Sequence, residues 1–115
     1  MSVNASIEQD GNCAVVVITG RITVGSSLSL LDSQVRSLIN GGTHKIVFDL
    51  NGVETVDSAG LGMLVYAYGS LAAKGGAMRL CGVAPRIQSL LELTRTNTLL
   101  AIDATREDSL AALKA

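Results

Sequence analysis

The chain has no tryptophan, one phenylalanine, two tyrosines, one proline, one histidine and two cysteines in 115 residues. Phe48, Tyr66 and Tyr68 are the whole aromatic complement, too little for a base-stacking platform on single-stranded nucleic acid. An excess of positive charge is also missing. Nine Lys and Arg stand against ten Asp and Glu, whereas a protein that binds nucleic acid directly shows a basic surplus. The single histidine, His44, would leave a zinc site dependent on carboxylates, and these stand at no recognisable ligand spacing, so neither a metal nor another cofactor is expected. Cys13 and Cys81 lie inside apolar runs and read as small buried hydrophobes in a reduced cytoplasm, not as a disulfide framework. Long apolar runs are absent too. The longest uncharged stretch, Ser58–Ala73, falls short of the ~20 residues of a spanning helix, so no membrane insertion is expected. Met1–Asp10 lacks the basic start and apolar core of a signal peptide, which makes the cytoplasm the expected location.

What the chain does have is a core. Hydrophobic residues make up 48% and charged residues 17%, the balance of a folded domain and not of a disordered tail, and the length fits one domain over residues 1–115. Ser6–Gln9 and Cys13–Ile18 flank Asp10-Gly11-Asn12, which predicts a hairpin whose second strand, β-branched and continuous, is buried on both faces and ends near Gly20-Arg21-Ile22. Leu28, Leu31, Val35 and Leu38 recur at helical spacing. Ser26 or Ser27 is the expected cap of that helix, and Gly41-Gly42 its end. Lys45–Leu50 reads as a short buried strand, Asn51-Gly52 as a turn and Val53–Val56 as a loop. A second helix runs from Asp57-Ser58 to about Lys74, followed by a strand over Met78–Val83. Pro85 suits the first turn of a third helix whose inner face is Ile87, Leu90, Leu91 and Thr94. Leu99–Ile102 is a last short strand. Thr105–Asp108 resembles a capping box, before a final helix that turns Leu110 and Leu113 inward. The order is β-β-α-β-α-β-α-β-α: an α/β fold with a mixed, mostly parallel sheet of about five strands and four helices, joined by right-handed crossovers.

The informative segment is Val56-Asp57-Ser58-Ala59-Gly60-Leu61-Gly62-Met63-Leu64, between a strand and a helix that carries no charge. Such a helix is either covered on both sides, with Gly60, Gly62 and Gly69 allowing close approach, or it shows an apolar surface to a partner. Ser58 has two readings as well. It is a helix cap, as Asp57 also could be, or it is a phosphorylation site. A phosphate there would meet the positive end of the helix dipole and add about −1.5 to −2 charge beside Asp57 and near Glu54.

Three catalytic readings fit poorly. A Ser–His–Asp triad would need His44, which precedes the Lys45–Leu50 strand while Ser58 follows its far end, a separation of roughly 15–20 Å. Val56 also fills the first glycine position of a G-x-S-x-G elbow. Gly60-Leu61-Gly62 starts like a dinucleotide fingerprint but has Val65 at the third glycine. Asp49, near a strand end, has neither the acidic pair nor the lysine of a phosphoacceptor site.

At Asp57-Ser58-Ala59-Gly60-Leu61-Gly62 the sequence resembles the STAS-domain anti-sigma factor antagonists. Lys45–Leu50, Val53, Val56, Val17–Ile22, Leu80–Val83 and Pro85–Leu93 agree with that family's flanking pattern, so the likeness covers essentially the whole chain as a single STAS domain. The resemblance implies a regulator and not an enzyme. Ser58 would be the residue phosphorylated by a partner anti-sigma factor that is a GHKL-type serine kinase. The unphosphorylated form would bind that partner and so release a sigma factor, and a PP2C-type phosphatase would reset the switch. The implied partner surface is Thr23, Ser26, Glu54, Thr55, Asp57, Ser58, Leu61 and Gly62. The chain departs from the family at Thr23-Val24-Gly25-Ser26, where an acidic residue is common. The other implied role is an accessory or structural STAS subunit, of a stressosome or a lipid-transport ABC system, in which Ser58 is only a cap.

Overall fold

The computed structural model describes residues 3–115, so Met1 and Ser2 of the Met1–Asp10 stretch lie outside it. The elements are β1 (Val3–Asp10), β2 (Cys13–Ile22), α1 (Ser26–Asn40), β3 (Lys45–Val56), α2 (Ser58–Ala73), β4 (Ala77–Cys81), α3 (Pro85–Leu93), a 3₁₀ turn (Thr96–Thr98), β5 (Ala101–Asp103) and α4 (Arg106–Lys114). The expected order holds. The five strands form one sheet in the order β1-β2-β3-β4-β5, in which only β1 and β2 are antiparallel.

Alternation along the central strands divides the core in two. Val16 and Ile18 of β2, Ile46, Phe48 and Leu50 of β3, and Met78 and Leu80 of β4 face α1, α2 and α3. Cys13, Val15, Val47 and Cys81 face the other way, under Leu110 and Leu113 of α4. Both cysteines are thus buried and free, as their setting in apolar runs implied, and burial pushes the Cys81 thiol up to about 11.

Several boundaries differ from the sequence reading, each for a local reason. β3 does not stop at Leu50. It continues through Asn51-Gly52 to Val56, and the register against β2 slips twice, each time leaving one extra residue in β3. The turn signal of Asn-Gly is spent on a bulge, which also tolerates glycine. Asp49 is therefore in mid-strand and buried, not near an end. α1 is capped by neither serine: Gly25 holds the N-cap position, Ser26 and Ser27 are already helical, and the Ser27 hydroxyl instead accepts the Val3 N–H at 3.2 Å. Its buried face ends on Ile39 in place of Leu38. β4 ends at Cys81 because Gly82 takes φ +68°. Thr94 is exposed at the end of α3, its hydroxyl donating to the Leu90 carbonyl at 2.8 Å. The residues after it keep turning, so the last strand starts at Ala101 and not Leu99. Thr105 caps α4 as expected, accepting the Asp108 N–H at 3.1 Å.

Ion pairs complete the docking of α4. Arg106 reaches one oxygen of Asp49 with Nη2 at 2.9 Å and Nε at 3.2 Å, and Glu8 of β1 with Nη1 at 2.9 Å. Arg79 holds Asp103 at 2.6 and 3.1 Å, and the Ser109 hydroxyl donates to the same carboxylate at 2.7 Å. Burial pushes Asp49 upward, but hydrogen bonds from the Asn51 N–H, Arg106 and the Asn51 amide outweigh it and leave the carboxyl below its ordinary value. The Arg79 bond lowers Asp103 against burial, with help from Ser109. A carboxyl whose folded pKa is depressed stabilises the fold above the unfolded value of ~3.9, and that contribution is lost as pH falls through the folded pKa. The melting temperature should therefore hold from neutral pH to about 5 and fall below about 4, and Asp49→Asn should flatten the fall. Thermal melts across pH check this; equal acid slopes in the two proteins would show that Asp49 does not carry it.

Candidate functional site

The carboxyl ends of β2 and β3 lie side by side, with Arg21 beside Thr55 and Ile22 beside Val56. Each chain then leaves the sheet, β2 into the Thr23–Gly25 loop and β3 into α2. One side chain ties the two exits together. Asp57 is the N-cap of α2: its Oδ1 accepts the Gly60 N–H at 2.8 Å, and its Oδ2 accepts the Val24 N–H at 2.9 Å. The Asp57 N–H donates in turn to the Ile22 carbonyl at 3.2 Å. These N–H groups, that of Val24 first and then that of Gly60, hold the Asp57 carboxyl below the usual carboxylate range.

With Asp57 as the cap, Ser58 is left as the first residue of the helix. It is exposed, and its hydroxyl bonds no other described residue. Around it the fold gathers the other residues singled out from the sequence. Thr23 and Ser26 come from the loop and the start of α1. Glu54 and Thr55 come from the end of β3, Glu54 exposed and 3.7 Å from Arg21. Leu61, partly buried, and Gly62, exposed, lie one turn into α2. All eight thus belong to one end of the sheet.

The uncharged helix is covered on one side only. Gly60, Met63, Leu64, Ala67 and Leu71 are buried, while Ser58, Gly62, Tyr66 and Gly69 follow one another along an exposed stripe. The three glycines therefore do not share a role. Gly60 is pressed against β2, but a side chain at Gly62 or Gly69 would meet nothing within 4 Å. Beside the stripe, α1 and α2 enclose a groove of about 280 Å³ with Ala59, Gly62 and Met63 on one side and Ser29, Asp32 and Arg36 on the other. The Arg36 guanidinium lies 3.9 Å from the centre of the Tyr66 ring and is held by Asp32 at 2.8 Å.

Sequence reasoning passed over two parts of this surface. Val24 is 77% exposed in the middle of it, and the signal was an apolar residue inside a Gly- and Ser-rich loop. The Asp32–Arg36–Tyr66 cluster needed the packing of α1 on α2, which no spacing within one segment reveals. His44 and Ser58 lie beyond opposite ends of a strand twelve residues long, so the single histidine cannot serve the serine as a base.

A family model described as the STAS domain matches residues 4–109, and the chain belongs to that family. Its likeness narrows further among individual proteins. An anti-sigma-B factor antagonist of Bacillus subtilis is 29% identical over 107 residues, spanning 93% of this chain and 96% of its own. The crystal structure of an anti-sigma factor antagonist from Mycobacterium paratuberculosis superposes with a TM-score of 0.88 at 22% identity, covering 99% of this chain and 96% of that one. A Bacillus cell fate determinant, solved in its phosphorylated form, gives a TM-score of 0.76 at 16% identity over 95% of this chain and 98% of that one. No helix among the described residues is long and apolar enough to cross a membrane.

Proposed function

We propose that this chain is an anti-sigma factor antagonist switched by phosphorylation of Ser58. In its unphosphorylated form it binds an anti-sigma factor that is itself a GHKL-type serine kinase, and a sigma factor is released. Phosphate on Ser58 ends that binding, and a PP2C-type phosphatase restores it. The observation that carries the reading is the division of labour at the start of α2. Asp57 makes the cap and the loop contact, so the fold makes no use of the Ser58 hydroxyl, which stands exposed at the positive end of an uncharged helix. The names of the relatives and the phosphorylated state of one fold neighbour support the same reading. Ser58 is not the cap of α2, because Asp57 holds that position, so the hydroxyl is left without a capping role.

Incubation with a GHKL-type anti-sigma kinase and ATP should add one phosphate, found by mass spectrometry on the peptide that contains Ser58 and absent from Ser58→Ala. A phosphate on another residue, or one retained in Ser58→Ala, would overturn the assignment. The fold should tolerate the charge. An anion in the first turn of a helix is favourable by ~0.3–1 kcal/mol, so Ser58→Asp should melt close to the wild type. A drop of many degrees would mean that the hydroxyl is structural.

A further inference from the structure

β1 is an edge strand, and among the described residues no strand lies beyond it. Its backbone phase can be read from the hairpin. Gly11, at φ +62°, takes the first position of a two-residue turn closed by Asp10 opposite Cys13. In an antiparallel ladder alternate residues exchange both backbone groups with the partner strand. Asp10, Glu8, Ser6 and Asn4 therefore bond β2, while Gln9, Ile7, Ala5 and Val3 point away from it. The Val3 N–H agrees, since it donates to Ser27 of α1. Left free are the N–H and C=O groups of Ala5, Ile7 and Gln9, a set symmetric about Ile7.

Natural edges are usually blunted by lysine, proline, a bulge or a charged side chain free to repel. β1 has no lysine or proline, and its register against β2 is unbroken from Val3 to Asp10. Its two acids are already neutralised, Glu8 by Arg106 and Asp10 by Lys114. Ile7, 39% exposed, lies in an apolar groove with Ser33, Gln34, Ser37 and Leu38 of α1. Exposed Leu30 extends the same helix face by one turn, and the charged residues of α1, Asp32 and Arg36, line the groove next to α2.

We infer that the chain dimerises through β1, two copies pairing antiparallel about a two-fold axis at Ile7 to form one ten-stranded sheet. This register uses the backbone groups of all three of those residues, Ile7 against Ile7 and Ala5 against Gln9. On the opposite face it sets Ser6 against Glu8 and Asn4 against Asp10, so each acid meets a neutral hydrogen-bond donor and no like charges oppose. That self-complementarity selects a second copy over a foreign peptide. Ser58 stays accessible, because α2 packs over β2, β3 and β4.

Sedimentation equilibrium of the full chain tests the inference. The wild type should dimerise. Ile7→Lys, which sets two ammonium groups together on the axis, should weaken the dimer at least about tenfold while its circular dichroism stays native. Ser58→Glu should dimerise like the wild type, so the result does not depend on the switch. The register has its own readout. Directly opposed bonded residues have Cα atoms ~5.5 Å apart, within disulfide reach. Ile7→Cys should therefore cross-link on oxidation and Asn4→Cys should not, with Cys13 and Cys81 too buried to interfere. A wild-type chain that stays monomeric to millimolar concentration, a dimer indifferent to Ile7→Lys, or a cross-link through Asn4→Cys in place of Ile7→Cys would each overturn the proposal.

Discussion

Gly60→Ala should cost this protein much of its stability, whereas Gly62→Ala, two residues along the same helix, should leave it unchanged or slightly more stable. A β-carbon at position 60 would stand 2.1 Å from the Ile22 carbonyl oxygen, 2.8 Å from Ile22 Cγ2 and 2.9 Å from the carbonyl carbon. None of these atoms is free to retreat. Ile22 is fully buried, and its carbonyl accepts the N–H of Asp57. Relief must come from lifting the first turn of α2 away from β2, which pulls Met63 and Leu64 from the core and breaks the Asp57 bridge to Val24. Overpacking of a core typically costs ~1–3 kcal/mol, and a clash with backbone belongs at the upper end or beyond it. The better helix propensity of alanine returns at most ~1 kcal/mol. At Gly62 the same β-carbon meets nothing, so only the propensity gain of ~0.5–1 kcal/mol remains. Urea unfolding of the two variants measures the contrast. Equal midpoints would mean that α2 does not seat on β2 as described.

That contrast also marks how far sequence reasoning reaches in this chain. Gly60 and Gly62 look alike in the string Ala59-Gly60-Leu61-Gly62, and helical periodicity cannot say which of them the sheet will press upon. The same limit applies at Asn51-Gly52. As a dipeptide it signals a turn, but Val53 and Val56 beyond it could still pair with Gly20 and Ile22, and tertiary pairing converted the turn into a bulge. Elements whose signals are local and redundant were legible: the Asp10–Asn12 hairpin, Pro85 at the head of α3, the Thr105 cap, and the continuous β-branched run of β2. The capping of α2 sits between these cases. Asp57 and Ser58 are both good caps. The choice fell to Asp57 because its second oxygen reaches the Val24 N–H, a contact across 33 positions. The charge-free composition of α2 did foreshadow an unusual surface, and the structure shows it as an exposed neutral stripe along a single face.

On that stripe the charge at Ser58 should decide partner binding. In the proposed complex the anti-sigma kinase docks over the start of α2, against Ser58, Leu61, Gly62 and the exposed Val24, with its active site at the Ser58 hydroxyl. The two open glycine positions let another backbone come close, and among the described residues the nearby arginines already have partners. Arg36 is committed to Asp32 and Tyr66, and Arg21 faces Glu54. A negative charge introduced at residue 58 would therefore be enclosed beside Asp57 and apolar surface without a counter-ion. An unpaired charge left in an interface costs ~2–5 kcal/mol, which corresponds to a loss of affinity of at least about 30-fold. Ser58→Ala should bind the unmodified kinase as well as the wild type does and resist inactivation by ATP. Ser58→Glu should bind at least about 30-fold more weakly, with the loss seen mainly as faster dissociation. Surface plasmon resonance against a GHKL-type anti-sigma factor, with nucleotide present, reads both constants. If Ser58→Ala and Ser58→Glu bind alike while both stay folded, residue 58 is not the switch, and the accessory STAS subunit becomes the better account of the chain.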